Sequence, residues 1–168
     1  MLAFFQSVSE WPLALAIKNS GATFSFLEGL HLVGVALFFG PLLLLDMRLL
    51  GLSLGLPLSA TSRHLLPAVW SGFVLITVSG LLLFVTNAHL YAVSRSFQLK
   101  LVFMVVGGAN MLLFEGLIRG RAAGWDRFSP TPAVAKLSAL LSISLWVSTI
   151  VAGRWMAYEK NWAVQFFL

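Results

Sequence analysis

Residues 24–45 read FSFLEGLHLVGVALFFGPLLLL, and this stretch decides the fold class. One carboxylate and one imidazole interrupt an otherwise apolar run. Crossing about 30 Å of hydrocarbon takes about 20 apolar residues, so the run is long enough to span a bilayer. Three further stretches share its character. One covers about 65–85, entered through Arg63, His64 and Pro67. Another covers about 99–118 and stops at Arg119, Gly120 and Arg121. The last covers about 134–158, with Arg154 and Trp155 near its exit. Lipid offers the backbone no hydrogen-bond partner, so each span must be a helix. The expected architecture is an all-α integral membrane four-helix bundle, a single domain over residues 1–168, with successive spans as antiparallel neighbours. Its Pro-, Gly- and Ser-rich connections fall at Gly51–Ser62 and Gly120–Pro132.

Composition closes off the other classes. Of 168 residues, 59% are hydrophobic and 10% charged, against about 25% charged in a soluble domain. Disorder fails on apolar content, and a disulfide scaffold fails because there is no cysteine. Four crossings leave no length for a separate catalytic domain. No nucleophile–base pair, Gly-rich phosphate loop or carboxylate dyad stands out, so an independent enzyme is not expected. The net charge of +5 reads as membrane topology, with no basic run of the kind that binds nucleic acid.

The first twenty residues do not read as a signal peptide: no basic residue precedes Lys18, and Gln6, Ser7, Ser9, Glu10 and Pro12 interrupt the apolar run. Met1, Phe4, Phe5, Val8, Trp11 and Leu15 recur near helical spacing, which predicts an amphipathic helix over 1–20 lying in the lipid interface. Orientation follows from Lys and Arg. Arg48, Arg63, Arg119, Arg121, Arg127 and Lys136 fall on one side, and Lys18, Arg95, Lys100, Arg154 and Lys160 on the other. Six against five favours both termini in the periplasm, in a bacterial inner membrane. Ser71, Gly72, Ser79, Gly80, Gly107, Gly108 and Ala109 are small residues of the kind that let membrane helices approach closely, within one chain or between copies in a homo-oligomer.

Polar residues inside the spans carry the functional reading, since each costs about 2.5–3.5 kcal/mol to insert at the bilayer centre. Glu28 and His31 lie in the first third of their span, about 6 to 11 Å below the terminal-side surface at 1.5 Å per residue. Lys100 opens the third span from the same side, His89 and Arg95 occupy the connection there, and Arg154 approaches from the fourth span. These residues converge on one half of the bundle. Arg48, His64, Glu115 and Arg119 belong to the other half, with Asn110 between.

Each residue has a structural reading beside a functional one. His31 is a metal or haem ligand, or an imidazole bonded to a neighbouring helix with Glu28 as partner. Lys100 is a snorkelling amine, or the second axial ligand or a propionate partner. Arg95 and Arg154 are interface anchors or propionate clamps. Asn110 bonds across helices or lines the cofactor, and Trp146 is core or a pocket wall. Glu115 pairs with Arg119 one turn on. A di-iron site is discounted because it needs a second Glu-x-x-His pair. Copper is the competing metal: without cysteine its soft ligands would be methionines, and Met104 and Met111 share a helix face.

The runs Leu27–Gly34 and Leu45–Gly51, then Phe97–Leu101 leading to Asn110, and Trp146 leading to Gly153–Tyr158, resemble an uncharacterised bacterial family of four-span inner-membrane proteins over nearly the whole chain. More distantly, an early-span histidine and a lysine opening a later span resemble the CopD-type copper-resistance domain and the HemJ-type protoporphyrinogen oxidase. In the HemJ-type proteins such a pair is implicated in binding haem b, which the resemblance transfers to His31 and Lys100. The expected function is haem b-mediated electron transfer between the quinone pool and a periplasmic or membrane redox partner. His31 would be one axial ligand, Lys100 or His89 the other, and Arg95 and Arg154 would hold the propionates. Copper handling and a non-catalytic membrane scaffold are the alternatives.

Overall fold

A computed structural model describes residues 2–52, 57–121 and 131–167, with side chains for all of these except 117–121, 157 and 160–167. Arg127 therefore lies outside the described residues, as do the side chains of Arg119, Arg121 and Lys160. Among the described residues seven helices follow in order: α1 (Leu2–Ser9), α2 (Pro12–Asn19), α3 (Gly21–Leu50), α4 (Leu58–Thr86), α5 (Ala88–Val93), α6 (Arg95–Arg121) and α7 (Ala133–Phe167). There is no strand among the described residues.

Four helices are long and apolar enough to cross a membrane, over Gly21–Leu50, Leu58–Thr86, Arg95–Gly116 and Ala133–Met156. Their outer surfaces belong in lipid. Val105 and Leu113 on α6 are 71% and 72% exposed, and Leu32 on α3 is 68% exposed. Water-soluble chains rarely present continuous apolar surface on that scale.

Several boundaries differ from the sequence expectation, each for a local reason. The N-terminal segment forms two short helices, because Pro12 has no N–H to continue a helix and sits at the first position of α2. Helix α3 runs past Asp46, Met47 and Arg48, since both charged side chains are buried in the bundle, at 5% and 2% exposure. It ends at Gly51, whose φ of 95° is open to glycine. There the Leu52 N–H reaches back 3.1 Å to the Met47 carbonyl, closing a Schellman turn. Helix α4 begins at Leu58 and contains Pro67 in its interior, and a further short helix, α5, occupies the connection before α6.

Helices α3 and α4 form the closest pair, α6 and α7 the next, and α3 against α7 joins the two hairpins. At Gly72 a Cβ would lie 2.4 Å from the Phe38 backbone nitrogen, so α3 and α4 touch backbone to backbone. By contrast α4 and α6, expected as antiparallel neighbours, make almost no close backbone approach. Side chains bridge them instead: Trp70 to Glu115 toward one end and stacked Phe84 and Phe97, 5.3 Å apart, toward the other. Two apolar clusters fill the centre. One gathers Leu45, Leu49, Leu58 and Phe114, and the other gathers Phe38, Val69, Ile76, Met111 and Trp146.

Candidate functional site

His31 sits nearly three turns inside α3, half-buried against α4. Its Nδ1 is 3.0 Å from the Ser79 hydroxyl. That hydroxyl has one proton, and it is committed: Ser79 Oγ donates to the Leu75 carbonyl at 2.6 Å. With its proton on that carbonyl, Ser79 accepts from Nδ1 in the tautomer that carries the ring hydrogen there. The Ile76 carbonyl is a second acceptor for the ring. In that tautomer the lone pair is on Nε2. This is the arrangement by which ligating histidines are oriented, with one nitrogen donating to protein and the other left as ligand. The partner is Ser79, not the expected Glu28, which is exposed.

Gly80 explains why the ring fits. A Cβ there would lie 3.2 Å from His31 Cε1, tighter than ordinary contact. Lys100 approaches from α6 along α7, its Nζ 3.4 Å from the place a Cβ on Gly153 would take. It is close enough to His31 for the ammonium charge to act on the imidazole. Trp146 lies deeper, 3% exposed, edge-on to Phe38 with centroids 4.5 Å apart. Its ring lies over Gly107, 3.2 Å from where a Cβ would stand, and its buried indole N–H has no hydrogen-bond partner.

The remaining expected residues are held elsewhere. His89, on α5, has Nδ1 3.2 Å from the Ser9 hydroxyl of α1, and Ser9 donates to the Phe5 carbonyl at 3.1 Å. Arg154 is exposed, with its guanidinium 5.6 Å from the centre of the Tyr158 ring. Arg95 is exposed and close enough to Glu159 to act on its carboxylate. Asn110 and Ser138 pair reciprocally across α6 and α7: the amide donates to the Ser138 carbonyl at 3.1 Å, and the Ser138 hydroxyl returns a bond at 2.9 Å. That pair carries the interhelical reading of Asn110.

The opposite half adds Asp46, Ser138 and Ser142 to the groups the sequence reading named there. Asp46, Asn110, Glu115, Ser138 and Ser142 line a small, partly open cavity of about 20 Å³, room for about one water. Ser142 donates to Asp46. Glu115, 8% exposed, accepts the Trp70 indole N–H at 3.1 Å, whereas the side chain of its expected partner Arg119 lies outside the described residues. Asp46 had a signal: Phe38, Leu42, Asp46 and Leu49 recur at helical spacing, so it falls on the buried stripe. Glu159 was also missed. It receives the Ser94 and Ser96 hydroxyls at 2.5 and 2.6 Å and so ties the end of α7 to the start of α6.

Among the described residues, no group of three or more His, Cys, Asp or Glu side chains is placed to hold a metal ion. Met104 and Met111 both pack into the apolar cluster around Trp146, the ordinary core role of methionine.

No curated protein and no solved structure matches the chain. One family model does match, over residues 8–159, so α3, α4 and α6 and the membrane-spanning part of α7, with the His31 and Glu115 regions alike, lie inside the matched region. The chain belongs to that family, a family of unknown function designated DUF6644.

Proposed function

We propose that this chain is a haem b-binding protein of the bacterial inner membrane, passing electrons between the quinone pool and a periplasmic or membrane redox partner. One observation supports the reading: the Ser79 hydroxyl, 3.0 Å from Nδ1, orients the His31 ring so that the Nδ1–H tautomer would present Nε2 as a ligand. A haem iron would need that nitrogen, and a carbonyl or hydroxyl behind the ring would keep it aimed. Lys100, from α6, is close enough to act on His31 and would be the second group to hold the haem. Arg154 directly follows Gly153, against which Lys100 packs, and suits a propionate bidentately. The distant resemblance of the His31 and Lys100 pattern to HemJ-type proteins points the same way.

A bound haem b would supply one-electron exchange at its iron; the protein's part is to orient the ligand, exclude water and set the surrounding dielectric. The test is an absorption spectrum of the detergent-purified protein, oxidised and then dithionite-reduced. A Soret band is expected in the wild type, absent from His31→Ala and kept in His89→Ala. Ser79→Ala should keep the band but lower haem affinity about 10- to 100-fold, the usual cost of losing an outer-shell partner. No Soret band after haem supplementation, or an unchanged one in His31→Ala, overturns the reading.

A further inference from the structure

Asp46 lies in the half of the bundle away from His31, and the redox reading gives it no part. It stands on the buried stripe of a membrane-spanning helix and is 5% exposed. The Ser142 hydroxyl of α7 donates to its carboxyl. Charged groups on the surrounding helices are placed as follows. Arg48 is two residues on along α3, a spacing that sets side chains on different sides of a helix. Glu115 of α6 shares the cavity and accepts the Trp70 indole N–H. Arg63 and His64 of α4 and Lys136 of α7 are exposed. Among the described residues, no cation lines the cavity.

An ionised carboxylate withdrawn from water is costly unless a counter-charge and hydrogen bonds replace the water. What meets Asp46 is a hydroxyl, and Leu42, Leu66, Met111 and Phe114 form the apolar part of the cavity wall. A bound proton removes the cost at once. A metal cation would need a shell of oxygens, but the neutral oxygens beside Asp46 are turned to each other: the Ser138 hydroxyl donates to Asn110 Oδ1 at 2.9 Å. The cavity of about 20 Å³ has room for a water, and Asp46, Asn110, Ser138 and Ser142 give that water polar partners.

We propose that Asp46 is an intramembrane proton-binding site, which takes up and releases its proton through a water in this cavity. Buried carboxyls of membrane helices are typical members of proton relays. In the protonated acid, one oxygen accepts from Ser142 and the O–H on the other donates to the cavity water. Release breaks that O–H bond. The proton passes to the water, the electron pair stays on the carboxylate, and the Ser142 hydroxyl supports the charge left behind. The cavity is partly open, so its water can exchange with the surroundings. No haem enters this chemistry, so the result stands apart from the redox reading.

Infrared difference spectra of the full chain in dodecyl maltoside, a detergent without a carbonyl group, read the protonation directly. At neutral pH, wild type minus Asp46→Asn should show the C=O stretch of a protonated carboxylic acid. The band should move to lower frequency in D2O, because the proton exchanges through the cavity, and disappear reversibly in alkali. Ser142→Ala should keep the band at a shifted frequency, since the acid loses a hydrogen bond to its carbonyl; this variant carries the assignment if Asp46→Asn fails to fold. Glu115→Gln should leave the band in place, which separates the two carboxyls. A carboxylate signal instead of the acid, a band that ignores both D2O and Ser142→Ala, or one lost in Glu115→Gln overturns the proposal. So does conversion of the band to a carboxylate signal when sodium chloride is added, because Asp46 would then hold a cation.

Discussion

Replacing Gly72 by alanine probes the contact on which the α3–α4 hairpin depends. The added Cβ would stand 2.4 Å from the Phe38 nitrogen, 2.7 Å from the Leu37 carbonyl carbon and 2.8 Å from the Phe38 Cα. All three are backbone atoms, so no rotamer change relieves the overlap. Ordinary contact begins near 3.4 Å, and the two helices must part by about 1 Å. A gap of about 0.5–1 Å already forfeits a quarter to a half of the dispersion attraction across the interface. Overpacking of this kind costs about 1–3 kcal/mol, offset by up to about 1 kcal/mol because alanine favours the helix over glycine. The net expectation is a loss of about 1–2 kcal/mol. Reversible unfolding in mixed micelles measures it. Gly29→Ala is the control on α3, since a Cβ there meets nothing within 4 Å. It should be neutral or slightly stabilising. Equal stability of Gly72→Ala and Gly29→Ala would refute the backbone contact between α3 and α4.

Two further outcomes follow from hydrogen bonds between helices. Asn110→Leu removes both bonds to Ser138 and should destabilise the α6–α7 pair by about 0.6–2 kcal/mol, read by the same unfolding assay, with Ser138→Ala losing less because the backbone carbonyl bond survives. Outside the spans, burial works to raise the Glu159 carboxyl, but hydroxyl bonds from Ser94 and Ser96, the Ser96 N–H and the Arg95 charge together hold it below the usual carboxylate range. A depressed carboxylate contributes stability above its unfolded pKa, and that contribution is lost as pH falls through the folded value. The tie between α6 and α7 should therefore be intact at neutral pH and loosen only in acid, below the ordinary glutamate range. Hydrogen exchange of the Ser96 and Phe97 amides measures this, and Glu159→Gln should abolish the pH dependence.

The correspondence between sequence and site is uneven, and particular residues show why. His31 and Lys100 were legible as intramembrane polar groups on one level, because depth along a helix follows from counting residues. Their partners were not, since Ser79 and Gly153 are ordinary small residues until two helices are set side by side. Glu115 was visible, but its assignment to Arg119 used spacing along one helix, whereas the bond seen comes from Trp70 on another. Asp46 and Arg48 read as the end of a span because charge normally marks the lipid surface; inside a bundle, other side chains replace the water they would lose.

Local chemistry alone dictated four membrane-crossing helices, the glycine that stops α3 and the proline that starts α2, because backbone satisfaction in lipid and dihedral limits act residue by residue. Tertiary structure decided the rest: which helices touch, that α4 and α6 stand apart, and that the His31 ring meets the Ser79 hydroxyl. Those properties depend on groups distant in the chain meeting in space, and pairwise contact has no signature in the periodicity of either partner.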